Sequence, residues 1–305
     1  MNKKRVFAAT IILAVCVFIV LSVCMETNAK DGITELVMGN VTQSDINFIG
    51  QLKNLQRLSI QIRDKDLDLS PLANLQYLDE LEFTSFGYQE SDQIDLSPLG
   101  KLTQLRSLGI DECFADMSFI ENLTQLEELS ITKAEIKDLS VFQNLVKLRR
   151  LHVLWVSDTD MSYLSGLDAL EYIYIQGNHI RNLSGMENMR NMTCVYLKET
   201  ERVSDELKSI SLDSFANMDK LTHLDIIGLK IEDAAPISQL PELNTISLVG
   251  TGIEDIECLG ELKNLKELEI YGYGNDYIVN QAVSGFSHLQ RLVVVDEIPD
   301  NMGYY

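Results

Sequence analysis

One apolar pattern recurs at an almost constant interval through most of the chain. It is L-x-x-L-x-L, with other apolar residues sometimes in the same slots. Its middle apolar residue falls at Leu36, Leu58, Leu81, Leu108, Leu129, Leu151, Ile173, Val195, Leu224, Ile246, Leu268 and Leu292. The interval is 22 residues in six of the eleven steps and lies between 21 and 29 in the others. A unit of this length cannot bury its apolar residues alone, so the copies must stack into a solenoid with one continuous core.

Each copy of the pattern contains a strand followed by a short return. Apolar and polar residues alternate, as in Leu129-Ser130-Ile131, which is typical of a half-buried strand. Segments such as 68–72 and 95–99, both D-L-S-P-L, follow the strand and predict a tight turn. We therefore predict an α/β solenoid of about twelve repeats. Its parallel sheet forms the concave face, and short 3-10 or turn returns form the convex face.

The pattern and the return D-[LIM]-S-P-L-x-x-L together resemble the bacterial internalin-like leucine-rich repeat family over residues 33–295. The resemblance implies a horseshoe that recognises another protein, with a host surface as one candidate partner. The family carries an asparagine after the strand, whose side chain bonds neighbouring turns in a ladder. This chain has Asn178 there once and otherwise Cys113, Ala134, Val156, Thr200, Leu229 and Thr251. The resemblance therefore implies a diverged member with a degraded ladder.

The N-terminus predicts export. Residues 1–5 are basic and residues 6–23 carry no charge, so residues 1–29 are expected to be an export segment. Leu21-Ser22-Val23-Cys24 resembles a lipobox, which would place a lipid on Cys24. Cleavage after Ala29 would instead release the protein, and an uncleaved segment would remain as a signal anchor. In all three cases the repeats are extracytoplasmic, and the protein is either secreted or attached to the cell membrane only through its N-terminus.

The rest of the chain is expected to form one elongated unit. Residues 30–50 are assigned to an N-terminal cap and first rung, and residues 51–305 to the repeat domain with a short C-terminal end. Cys113, Cys194 and Cys258 lie several repeats apart. Because a disulfide needs Cα atoms within about 7 Å, we predict no disulfide within the chain.

The composition limits the classes of partner. The formal net charge is −21, whereas nucleic-acid binding needs clustered Lys and Arg, so nucleic acid is not expected and anionic membrane surfaces are disfavoured. The chain has no Gly-rich phosphate loop, no H-E-x-x-H and no C-x-x-C. We therefore expect no cofactor, no metal and no enzymatic activity. A basic protein, a polysaccharide or a cation remains compatible with the surface.

Aromatic residues gather on the expected concave face. The residues on either side of each middle apolar position should point outward, and those of the sixth to eighth strands are rich in rings. We predict a binding site whose centre, the aromatic patch, is formed by His152, Trp155, Tyr172, Tyr174 and Tyr196. Its expected rim is Arg150, Lys198 and His223. Stacked rings also stabilise a sheet without any ligand, by about 0.2–1 kcal/mol per pair.

Several hypotheses about this face stay open. A protein partner comes first, a carbohydrate or cell-wall glycan is the alternative, and burial against another copy of the chain is a third. A remote hypothesis is a hydrolase or soft-metal site at Cys194, His223 and Asp225, since a thiol, an imidazole and a carboxylate fall on adjacent strands. Longer repeats could add recognition loops. Their extra residues fall near 86–91, 199–206 and 272–277.

Overall fold

The structure, a computed structural model, describes most of the repeat region. The described residues are 30–86, 94–113, 115–134, 136, 139–156, 159–177, 180–199, 209–272, 286, 289–296 and 298. The expected export segment, with Cys24, lies outside them, as do most residues of the three longer-repeat segments. Within the described ranges, no helix has the length and apolar character needed to cross a membrane.

Twelve strands form one parallel sheet in the described part of the chain, and their order in the sheet is their order in the sequence. Strands β1 to β12 span Glu35–Val41, Arg57–Ile62, Glu80–Ser85, Ser107–Asp111, Glu128–Thr132, Arg150–Val156, Tyr172–Gly177, Cys194–Glu199, His223–Ile227, Thr245–Val249, Glu267–Tyr271 and Arg291–Val295. Each strand contains one predicted middle apolar residue, and these residues pair in register, as Leu129 does with Leu151 and Leu151 with Ile173. The predicted solenoid is confirmed.

Short 3-10 helices form the returns, as predicted. Those in the described residues span Ser70–Asn74, Ser97–Lys101, Met117–Asn122, Leu139–Phe142, Met161–Leu164, Asp213–Phe215, Ala235–Ile237 and Glu257–Glu261. The aspartate two residues before a return accepts a hydrogen bond from its first residue: Asp68 Oδ1 accepts from the Ser70 backbone N–H at 2.9 Å, and Asp95 accepts from Ser97 at 2.9 Å. Hydrogen bonds from Ser70 hold the pKa of Asp68 below its ordinary value. The recurring aspartates thus stabilise turns.

The first return is an α-helix, α1, which spans Gln43–Ile49. Thr42 and Asp45 form a capping box, in which the Thr42 N–H donates to Asp45 Oδ2 at 2.9 Å and Thr42 Oγ1 accepts from the Asp45 N–H. Ile46 and Ile49 are fully buried in the core. The cap therefore sets the start of a helix that closes the first rung against the core.

The slot in which internalin-like repeats carry asparagine is filled here by core residues. The described side chains in that slot are all buried, and they are Cys113, Ala134, Leu229 and Thr251. Asn178 and Thr200 lie outside the described residues. Burial raises the pKa of the Cys113 thiol to about 12, as expected for a thiol packed in a core. A side-chain bond between turns occurs instead at Glu199, a buried carboxylate that accepts from the Ile180 backbone N–H at 3.0 Å.

Candidate binding face

The outward positions of the strands form rows that run across the concave face. In one row, His152, Tyr174 and Tyr196 are register partners on β6, β7 and β8. The rings of His152 and Tyr174 meet edge to face with centroids 4.7 Å apart, and those of Tyr174 and Tyr196 stack at 5.9 Å. Tyr172, in the neighbouring row, has its ring centroid 5.7 Å from that of Tyr196. Four members of the predicted aromatic patch therefore form one continuous series of ring contacts.

Polar contacts orient this series at its β6 end. The guanidinium carbon of Arg150 lies 5.0 Å from the centroid of the Tyr172 ring, within the range of a cation–π contact. Arg150 Nε is also 3.9 Å from Glu128 Oε1. The Nδ1 atom of His152 lies 3.2 Å from Ser130 Oγ, which is within hydrogen-bond distance. The rings are thus held in place from the β5 side.

The aromatic patch carries no charge of its own at neutral pH. Partial burial lowers the pKa of His152 below its ordinary value, so its imidazole is neutral at pH 7. Burial raises the pKa of Tyr172 to about 12 and also raises the pKa of Tyr174 and of Tyr196. The negative charge of Asp225 acts in the same direction on all three phenols. The patch therefore presents neutral rings with a carboxylate beside them.

Trp155 is held outward by a bulge at the end of β6. The register with β7 shifts between Leu154 and Val156, and Trp155 adopts the left-handed region with φ of 71°. Strand alternation would direct this position toward the core. The equivalent residues Ile62 and Ser85, at the ends of β2 and β3, are in fact fully buried. Trp155, by contrast, is 46% exposed.

Other repeats show what this backbone position requires. The same slot after β9, β10 and β11 also has positive φ, of 74°, 61° and 69°, and it holds Gly228, Gly250 and Gly272. Asn40 occupies it in β1 with φ of 51°, also beside a shift of register. Glu112 and Lys133 occupy it after β4 and β5, and their side chains form an ion pair with each other. A residue with a Cβ in this conformation costs about 1–2 kcal/mol relative to the ordinary regions. The uncharged indole of Trp155 cannot offset that cost with such an ion pair.

The remaining predicted rim residues lie on strands that carry or adjoin the patch. Lys198 on β8 is the register partner of Gln176 on β7, in the row that includes Leu154. His223 on β9 is the register partner of Cys194 on β8. Both side chains are half-buried. The structure thus places the predicted binding residues on β6 to β9 of one sheet.

The geometry does not favour the remote hydrolase hypothesis. Cys194 and His223 are adjacent in register, and Asp225 follows on β9. The Nδ1 atom of His223, however, lies 2.8 Å from Thr222 Oγ1. Burial lowers the pKa of His223, and the negative charge of Glu267, which acts to raise it, is the smaller effect. A triad needs a base oriented by its third member, and that orientation is supplied here by a threonine. In the part of the chain that the structure describes, no group of three His, Cys, Asp or Glu residues could hold a metal ion.

A group of carboxylates lies on β3 to β5 of the same sheet. Partial burial raises the pKa of Glu82, and the negative charges of Glu80, Asp111 and Glu128 raise it further. Three of these residues occupy outward positions that the repeat pattern already identified. Their proximity to Asp111 was less visible, because Asp111 lies one outward position further along its strand.

Comparison with known proteins agrees with this geometry. A family model described as a leucine-rich repeat region matches residues 59–253. A search of curated proteins gave no match. Among solved structures, an internalin, InlF, from Listeria monocytogenes is similar with a TM-score of 0.54 and 23% identity, covering 90% of this chain and 89% of that one.

Two further structures from Listeria monocytogenes are similar. Internalin C2 has a TM-score of 0.51 and 23% identity, covering 68% of this chain and 84% of its own. The functional domain of InlJ, which includes a cysteine ladder, has a TM-score of 0.58 and 17% identity, covering 88% of this chain and 59% of its own. These likenesses show a shared fold, and the family model matches more than half of the sequence. The chain belongs to the leucine-rich repeat family and has an internalin-like fold.

Proposed function

We propose that this protein is an exported, non-enzymatic scaffold that binds a protein partner through the aromatic patch on its concave face. The contact residues are Trp155, Tyr172, Tyr174, Tyr196 and His152, with Arg150, Lys198 and His223 at the rim. The observation that carries the proposal is the conformation of Trp155. A large exposed ring is kept in a left-handed backbone position that three other repeats fill with glycine and three with the polar residues Asn40, Glu112 and Lys133.

Sheet stability alone would account for the stacked rings but does not account for Trp155. Cross-strand ring pairs such as Tyr174 and Tyr196 contribute to folding whether or not a ligand binds. An exposed tryptophan at a bulge costs free energy in the folded chain, and residues kept in such conformations cluster at functional sites. Tryptophan and tyrosine also dominate the energetics of protein interfaces. Binding therefore explains both features of the face together.

A pull-down with the whole chain tests the proposal. The inputs are host-cell surface extract, bacterial surface extract and purified cell wall. The variant Tyr174→Ser/Tyr196→Ser removes the stacked rings, and Ser59→Ala/Ser247→Ala is the matched control, because those residues lie in the same row away from the patch. A protein retained by the wild type and the control but lost by the ring variant, and recovered uncleaved, supports the proposal.

The other outcomes have equally definite meanings. Equal retention by the ring variant contradicts binding at the patch. Retention of cell wall alone, with competition by soluble glycan, replaces the protein partner with a carbohydrate. A partner recovered cleaved by the wild type, but intact from Cys194→Ala, would overturn the non-enzymatic assignment.

Export is the part of the proposal that depends on residues 1–29. If Cys24 is lipidated, cells grown with labelled palmitate yield a labelled wild-type protein and an unlabelled Cys24→Ser variant. An unlabelled wild-type protein that begins at Lys30 indicates cleavage after Ala29. An unlabelled membrane-bound protein with its original N-terminus indicates a signal anchor. Recovery in the cytoplasm contradicts export in every form.

A further inference from the structure

The aromatic patch lies between carboxylates on the concave face. Its central row runs from Glu82 on β3 through Gly109, Ser130, His152, Tyr174 and Tyr196 to Asp225 on β9. Neutral rings thus occupy the middle of the row, and each end has a negative charge. Glu82 and Asp225 are six strands apart, which corresponds to about 29 Å along the sheet.

The β3 end of the row is strongly acidic. The Glu82 carboxylate lies directly over Gly109, where a Cβ would overlap it, so the glycine gives it room against the sheet. The charges of Glu80, Asp111 and Glu128 all act on Glu82. Arg150 lies near Glu128, on the side of this group that faces the patch. On the other side, Arg57 is the register partner of Glu80 and is already paired with Glu35. A cation on the β3 side would therefore meet several carboxylates at once.

The β9 end combines a carboxylate with ring faces. Asp225 is the register partner of Tyr196, and its charge acts on all three tyrosines of the patch. Ring faces attract cations, and a carboxylate beside them adds a charge-assisted hydrogen-bond acceptor. The protein's own Arg150 already lies over the ring of Tyr172 at 5.0 Å. Tyr172 thus already accepts a guanidinium on its ring face.

We propose that the partner docks a basic, extended segment across the strands of this face. One Lys or Arg pairs with Glu82 and its neighbours, an apolar or aromatic residue contacts the ring of Tyr174, and a second Lys or Arg lies at Tyr196 and Asp225. The two basic residues are about eight or nine positions apart, since an extended chain advances about 3.4 Å per residue. This inference rests on the proposed function and names the chemistry of its partner.

Charge complementarity selects this occupant over a second copy of the chain. The protein has a net charge of −21, so two copies repel each other, whereas a basic segment is attracted over distances comparable with the Debye length. A neutral glycan would gain nothing from the carboxylates at the β3 end beyond hydrogen bonds. Binding of a basic segment should therefore weaken as salt is added.

Selection of random 15-residue peptides displayed on phage, with the whole immobilised chain as bait, tests the inference. Glu82→Gln/Asp225→Asn removes one carboxylate at each end of the row. Glu242→Gln/Glu257→Gln is the matched control, with the same change of net charge at two exposed positions outside the sheet. Tyr174→Ser/Tyr196→Ser removes the rings.

We expect enriched peptides to carry Lys or Arg on both sides of an apolar residue. Their affinity for the charge variant should be about five- to tenfold lower than for the wild type, and their affinity for the control should be unchanged. Added salt should lower their affinity for the wild type. Enriched peptides without excess basic residues, or with equal affinity for the charge variant, overturn the inference. If those peptides still need the tyrosines, the proposed function stands without it. If no peptide is enriched, an extended segment is not the ligand. The pull-down then decides by itself whether the patch binds a protein.

Discussion

Replacing Trp155 by glycine and by alanine separates backbone strain from the contacts of the indole. Both variants remove the ring, but alanine keeps a Cβ at a φ of 71°, whereas glycine adopts this region freely. The left-handed penalty of about 1–2 kcal/mol favours glycine. The greater freedom of glycine in the unfolded chain, about 0.4–1 kcal/mol, favours alanine. We therefore expect Trp155→Gly to be more stable than Trp155→Ala by about 1 kcal/mol.

Urea unfolding followed by circular dichroism measures this difference. Ser247→Gly and Ser247→Ala provide the matched pair, because Ser247 lies within β10, in regular register with both neighbouring strands. At that position the order should reverse, with glycine less stable than alanine by about 0.5–1 kcal/mol. The reasoning is refuted if Trp155→Gly is less stable than Trp155→Ala by as much as Ser247→Gly is less stable than Ser247→Ala.

Three further predictions concern the core, the thiols and the acidic group. Leu151→Ala should lower the free energy of unfolding by about 2–5 kcal/mol, because Leu151 is fully buried. The control Val146→Ala, at an exposed position, should change it by less than about 0.5 kcal/mol. Equal effects of the two variants in thermal unfolding would contradict the assigned core. Iodoacetamide should modify the half-buried Cys194 before Cys113, because burial raises the pKa of the Cys113 thiol to about 12. Peptide mass spectrometry that found Cys113 labelled first would contradict the burial of Cys113 in the core. Glu82→Gln should gain stability relative to the wild type at pH 7, because the folded-state pKa of Glu82 is raised and its charged form is disfavoured. That gain should shrink as the pH falls through the raised pKa, and a gain independent of pH would contradict it.

The fold was predictable because the repeat is redundant. Each strand contains its predicted middle residue, and a register error in one repeat would have been exposed by its neighbours. The outward rows followed from the same alternation, so the adjacency of His152, Tyr174 and Tyr196 could be expected from their shared position in the repeat. Parallel pairing of consecutive repeats converts this shared position into spatial contact.

Local backbone geometry and side-chain contacts were harder to predict. The left-handed bulge at Trp155 breaks the alternation, and no property of tryptophan indicates it. The available clue was that Gly228, Gly250 and Gly272 occupy the same slot of the repeat. The bond from His223 to Thr222 depends on side-chain rotamers, which spacing does not determine. The sequence therefore constrained where the face lies more strongly than it constrained what the face does.

The most direct test of the central claim is the affinity of the captured partner for Trp155→Gly. Calorimetric titration of that partner into the wild type, Trp155→Gly and Ser247→Gly compares loss of the exposed ring with a glycine substitution elsewhere on the same face. If Trp155 is a contact residue, Trp155→Gly should weaken binding about thirtyfold or more, the effect of truncating an interface anchor. Ser247→Gly should leave the affinity within about twofold. Equal affinities for all three proteins would contradict binding through the aromatic patch.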